Sequence, residues 1–154
     1  MEYSRRKGDP LNAIRAKVIS IFSYDGSILL AKGFDQVTEE YFYCPLGGGV
    51  DFGESSSAAL VREIREEVQA EICNLKLLGV LENIFTFENQ TGHEIVFVYD
   101  ADFCDKSLYT TQKIHGTESD GSELVADWVD INKVDQIKIP IYPAGIIELI
   151  KQKI

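Results

Sequence analysis

The sequence predicts an α+β fold, an α/β/α sandwich around a mixed β-sheet. Three observations carry this. Apolar, β-branched runs gather at 13–46 and again at 75–131; a Gly- and Pro-free stretch, 55–68, divides them; and a second helix-like run closes the chain. The 154 residues suit one domain, 1–154, with its own core. Residues 1–12, which include the basic "RRK", are expected to form a mobile N-terminal arm.

The elements follow in order. "AIRAKVISIFSYDGSILLAK" (13–32) is β-rich around Asp25-Gly26, a hairpin signal. "YFYCPL" (41–46) is a short aromatic strand that runs into glycines. Residues 55–68 read as a helix. "LKLLGVLENIFTFE" and "HEIVFVYDADF" are strands, with "NQTG" as the turn between them. Residues 104–122 read as a polar loop, and "ELVADWVDI" (123–131) as a late strand. Pro143 is expected to open the C-terminal helix "AGIIELIKQ" in its first turn.

Composition excludes several functions. A net charge of −10 argues against a nucleic-acid polymer or an anionic membrane as partner. It does not oppose an anionic small molecule, because a divalent cation can sit between two sets of negative charges. Cys44, Cys73 and Cys104 make no CxxC, against a zinc ribbon or a thioredoxin-type motif. With no disulfide framework and no secretory signal, a cytoplasmic protein is expected. Runs such as "IVFVY" are too short to span a bilayer.

The chemistry concentrates in "LGGGVDFGESSSAALVREIREEVQAEI" (46–72). On a helical wheel with Glu63 at zero, Glu66 falls near −60° and Glu67 near +40°. Leu60, Val61, Ile64 and Val68 fall between about 60° and 160°, a core stripe that the carboxylates border. Arg65 points away, whereas Arg62, one turn before Glu66, can pair with it. Small residues, Ser56 and Ala59, stand one turn upstream and leave room for a ligand. Three like charges on one face repel. A hard cation would turn that repulsion into coordination. A solvated helix with internal salt bridges has the same charge pattern. The glycines weigh against it, because Gly47, Gly48, Gly49 and Gly53 form a loop able to bring backbone close to phosphate or metal.

Taken together, these residues resemble the Nudix box, G-x5-E-x7-R-E-U-x-E-E-x-G-U, with U a bulky aliphatic residue. Gly48, Glu54, Arg62, Glu63, Ile64, Glu66 and Glu67 meet the pattern without a gap. The end departs from it: Gln69 replaces the glycine and Ala70 the aliphatic residue. Either the helix runs on, or Gln69 itself adopts the left-handed cap.

The resemblance implies the Nudix sandwich. It also implies a hydrolase that cleaves a phosphoanhydride bond in a nucleoside diphosphate linked to another moiety. The cofactor implied is Mg²⁺ or Mn²⁺, and homodimers are common in the family. By the same resemblance Glu63, Glu66 and Glu67 hold the metal with the Gly47 carbonyl, while Gly48, Glu54 and Arg62 support the box. The water-activating base is either Glu63 or a loop carboxylate, for which Glu123 is preferred to Glu118. The alternative is a Nudix-fold module that senses a nucleotide or nucleotide sugar without cleaving it.

His93 and His115 have no partners at metal-ligand spacing. Tyr41, Phe42, Tyr43, Phe85 and Phe87 could stack on a base or fill the core. Glu82 is expected on a solvated strand face.

Overall fold

The computed structural model describes residues 12–152. Apart from Asn12, the proposed N-terminal arm lies outside the described residues.

The apolar start forms β1 (Arg15–Ile21), β2 (Ser23–Tyr24) and β3 (Ser27–Asp35). Asp25 and Gly26 join β2 to β3 with φ of 48° and 77°, as a two-residue primed turn requires. β4 (Glu40–Cys44) and β5 (Leu46–Gly49) lead into α1 (Ser56–Val68). The long hairpin β6 (Ile72–Phe87) and β7 (Gln90–Phe103) follows. Its turn is Glu88-Asn89, both at positive φ, and Gln90 already pairs with Phe87. The expected "NQTG" turn is therefore displaced: two residues close the hairpin, and the polar sequence after them stays extended.

The polar stretch 104–122 is not all loop. It holds a 3₁₀ turn (Lys106–Thr110) and a short strand, β8 (Lys113–Thr117), which pairs with β9 (Glu123–Asp130). The last helix, α2, spans Ile146–Lys151 behind Gly145. Pro143 does not open it. Its bond to Tyr142 is cis, and its carbonyl accepts from the Ile146 N–H in the turn ahead of the helix.

The strands make two sheets. The mixed sheet has the order β5-β1-β7-β6, with β1 parallel to β7 and antiparallel to β5. The other is antiparallel, β2-β3-β9-β8, with β4 on the far half of β3. Side chains alternate across these strands. Val18, Leu29, Tyr99 and Phe103 pack with Leu60 and Ile64 of α1. Ile19, Ile28, Val96 and Val98 pack with Ile146 and Ile150 of α2. One helix thus covers each side, giving the α+β sandwich expected. Among the described residues no helix is long and apolar enough to cross a membrane.

Candidate active site

α1 begins where Ser55, in extended backbone, accepts a hydrogen bond from the Ala58 N–H at 3.2 Å. Ahead of it, β5 lies at the edge of the mixed sheet, against β1. Two of its glycines are required by close approach. A Cβ on Gly47 would stand 2.0 Å from the Val18 carbonyl oxygen, and one on Gly48 would stand 2.2 Å from Cδ of Glu63. The Glu63 carboxylate occupies the space that a side chain at 48 would need.

The helix is turned further than the wheel places it. Its buried residues are Ala59, Leu60, Glu63, Ile64 and Glu67. On the same wheel these span about −40° to 100°, so Glu63 and Glu67 lie inside the buried arc rather than beside it. Both are 6% exposed. Glu66 is exposed. Nor do the small residues leave a void: Ala59 is buried in the core, and the Ser56 hydroxyl bonds to that of Tyr99 at 2.7 Å. The small side chains let the helix sit close on the sheet.

Arg62 organises the site. Its Nε and Nη2 donate to the two oxygens of Glu54 at 2.8 and 2.9 Å, and Nη2 donates to the Gly49 carbonyl at 2.9 Å. Nη1 donates to Glu63 at 3.0 Å and to Glu66 at 3.3 Å. Glu54 in turn accepts from the Asp51 N–H. The hydrogen bonds to Glu54, and then the hydrogen bond to Glu63 and its charge, raise the Arg62 pKa against the opposing effect of burial and hold the guanidinium charged. One side chain thereby ties the glycine strand, the loop after it and the carboxylate face of α1 together.

The loop carboxylates fall on opposite sides. Ile114 and Gly116 of β8 face α1, where a Cβ on Gly116 would stand 2.1 Å from the Glu67 carbonyl oxygen. Their cross-strand partners on β9 are Ala126 and Leu124. Glu123, paired with Thr117, therefore points to the other face, where it meets His115 Nδ1 at 3.1 Å. The structure does not bring Glu123 to the carboxylate helix. Glu118, one residue beyond β8, is buried at 8% exposure and continues the alternation toward α1. Neither histidine joins the box: His93 meets Glu82 at 3.2 Å on the exposed face of the hairpin.

The aromatics divide as well. Tyr41 lies outside, against Phe34 and under Lys32 Nζ. Phe42 turns inward and meets Phe87 and Tyr142 edge-on. With Phe85, Asp35, Thr38 and Glu40 these rings line a cleft between β4 and the tip of the β6–β7 hairpin.

Two features suit the carboxylates to a hard cation. The donors are all carboxylate oxygen, and the absent Cβ of Gly48 leaves the Glu63 carboxylate its own cradle. Among the described residues, however, no three Asp, Glu, His or Cys side chains stand ready to enclose an ion. Arg62 Nη1 bridges Glu63 and Glu66.

Comparison with known proteins agrees with this fold. The structure resembles a MutT NUDIX hydrolase from Burkholderia pseudomallei (TM-score 0.65, 23% identity, 93% of this chain and 100% of that one). It also resembles a NUDIX hydrolase from Nitrosomonas europaea (TM-score 0.64, 17% identity, 90% and 87% covered). An ADP compounds hydrolase shares the fold at TM-score 0.58 and 20% identity, over 84% of this chain and 64% of that one. At these identities the likeness is one of fold. The family model for the NUDIX domain matches residues 12–150, and the chain belongs to the Nudix hydrolase family.

Proposed function

We propose that this protein hydrolyses a phosphoanhydride bond in a nucleoside diphosphate derivative with the help of Mg²⁺ or Mn²⁺. The observation that carries this reading is the pair of glutamates, Glu63 and Glu67, buried in the middle of a helix face where packing alone would select apolar side chains. A bound divalent cation would polarise the phosphoanhydride and lower the pKa of a bound water. Glu63, Glu66 and Glu67 are the residues that would hold it, together with the Gly47 carbonyl. To hold such an ion Glu66 would leave Arg62, a single exposed contact at 3.3 Å. Arg62 keeps Glu54 and Gly49, so the loop holds its shape when Glu66 leaves. Glu118, which continues the β8 alternation toward α1, would suit proton abstraction from the attacking water better than Glu123, whose cross-strand partner Thr117 faces the other way.

The substrate class rests on family membership. It includes the kind of compound handled by the ADP compounds hydrolase whose fold this chain shares. The test is a hydrolysis screen with and without Mg²⁺ over nucleoside triphosphates, nucleotide sugars and dinucleotides, with products identified. Metal-dependent release of a phosphate-containing product from at least one member is expected. Nucleotide binding without turnover across the panel would replace this reading with the sensor.

A further inference from the structure

Two thiols meet at the base of the β6–β7 hairpin, behind α1. Ile72 and Phe103 are directly paired there and turn into the core. Side chains alternate along both strands, so Cys73 and Cys104 turn the other way. Cys73 stands opposite Asp102, and the Cys104 N–H continues the ladder to the Glu71 carbonyl at 2.9 Å. The two cysteines are therefore diagonal neighbours on one outer face. Cys73 is half-buried, Cys104 is exposed, and both are free. Free cysteine is among the residues most often buried. Core packing accounts for Cys44, which is 4% exposed. It accounts for neither of the other two.

The two thiols are in contact. Cys104 hydrogen-bonds to Cys73, and that bond, with desolvation and the charges of Cys73 and Glu71, raises the Cys104 pKa against the opposing charge of Lys106. Cys104 is thus the donor of the pair, which leaves the Cys73 sulfur as the attacking one. Spacing decides what bond they can form. Diagonal neighbours stand about 7–8 Å apart, whereas the Cα atoms of ordinary disulfides stand about 4.4–6.8 Å apart. The chain has slack at both ends of that span. The ladder slips between Cys73 and Lys76, Asn74 takes a left-handed φ of 55°, and Cys104 lies one residue past the end of β7. A shift in these segments brings the sulfurs together at a cost in strain. Strained, exposed bridges are the readily reduced ones, so the pair suits a reversible linkage rather than a structural one.

We propose that Cys73 and Cys104 form a peroxide-sensitive dithiol site, which oxidation closes into a reversible cross-strand disulfide. The Cys73 sulfur attacks one oxygen of hydrogen peroxide; the O–O bond breaks, and Cys73 sulfenic acid and one water result. The Cys104 sulfur then attacks the Cys73 sulfur. The S–S bond forms, the S–O bond breaks, and the departing hydroxide takes the Cys104 proton as a second water. Two electrons and two protons have passed from the thiols to the peroxide. A small thiol such as glutathione reverses the change by exchange, two thiols becoming one small disulfide. The site is independent of the hydrolase reading. It lies at the end of α1 where Arg65 grips Glu71, not at the end where Arg62 grips Glu54, so turnover is not its readout.

The test is treatment of the full chain with hydrogen peroxide, alkylation of the remaining thiols, and mass analysis without reductant. Trypsin places Cys44, Cys73 and Cys104 on separate peptides, 33–62, 66–76 and 77–106. The intact chain should lose the mass of two hydrogens, and peptides 66–76 and 77–106 should appear linked. Excess reduced glutathione should restore both thiols. Cys104→Ser should stop at Cys73 sulfenic acid, captured by dimedone. Cys73→Ser should slow the oxidation of Cys104 about tenfold. A thermal melt checks that each serine variant is folded, and the linked peptide is read in the unaltered chain. Separate oxidation of the two thiols to sulfinic acids with no linked peptide would overturn the site, as would a link formed only between two chains. A bridge that resists excess glutathione would overturn its reversibility.

Discussion

The two ends of α1 carry the same chemical device in different settings. At the front, Arg62 grips Glu54 with two hydrogen bonds, and the pair is 27% and 19% exposed. At the back, Arg65 grips Glu71 just as closely, at 2.6 and 2.9 Å, but the pair is 58% and 57% exposed. The front arginine also holds a backbone carbonyl and two further glutamates. Among the described residues the back one has a single side-chain partner, beside a Gln69 cap in the left-handed conformation (φ 52°, ψ 37°). Similar bond lengths therefore have different consequences. Shelter and the number of partners set the difference, because solvent screens an exposed pair and side-chain entropy offsets its gain.

Substitutions can break or sharpen this contrast. The largest effect is expected from Gly48→Ala. Its methyl group must displace the Glu63 carboxylate, so turnover should disappear and stability fall by about 1–3 kcal/mol, the usual range for overpacking. A thermal melt beside a kinetic assay checks both. Glu67→Gln and Glu66→Gln should each lower kcat about a hundredfold or more while the melt shows a folded protein. Unchanged turnover in both would remove the helix from the site.

Arg62→Ala leaves Glu54 and Glu63 without their cation, and about 2 kcal/mol of stability should be lost. Lysine at 62 cannot restore the two-pronged grip on Glu54, so denaturant midpoints of Arg62→Lys and Arg62→Ala should lie closer to each other than to wild type. At the other end, Gln69→Gly relieves a left-handed residue that carries a Cβ. It should raise stability by about 1 kcal/mol and the Tm by about 3 °C.

The smallest effect is expected from Arg65→Ala, near the error of a melt at neutral pH. Its pH dependence is the sharper readout. The hydrogen bond from Arg65 lowers the Glu71 pKa in the folded chain. A depressed carboxylate contributes above its unfolded pKa, about 4.3, and loses that contribution as pH falls through the folded value. Any gap between wild type and Arg65→Ala should be constant above about pH 5 and close in stronger acid. A gap that widens in acid would contradict the pair.

Much of the front end was legible in the sequence. The spacing from Gly48 to Glu67 named the box, and the Glu54–Arg62 brace stands as the resemblance implied. The depth of Glu63 and Glu67 was not legible. A wheel sorts residues by hydropathy, so it set the carboxylates outside the apolar stripe; only the missing side chain of Gly48 makes room for one inside. Which way Glu118 and Glu123 face was not legible either, because β8 is short and polar, and without it the alternation across β9 has no reference. At Gln69 two outcomes stood open, and the chain takes the left-handed one. Lys17 gave a faint signal, a charge inside an apolar strand. Its partner Glu94 could not be named until the pairing of β1 with β7 was known.

That pairing also orders events during synthesis. β1 finds its parallel neighbour only when β7 arrives, roughly 80 residues later. Until then the mixed sheet can offer only β5 against β1, and α1 has little of it to cover. Glu63 and Glu67 have no complete sheet to be buried against in that interval. The box is thus translated early and assembled late, when the β6–β7 hairpin has formed and supplied the strand on which everything before it can close.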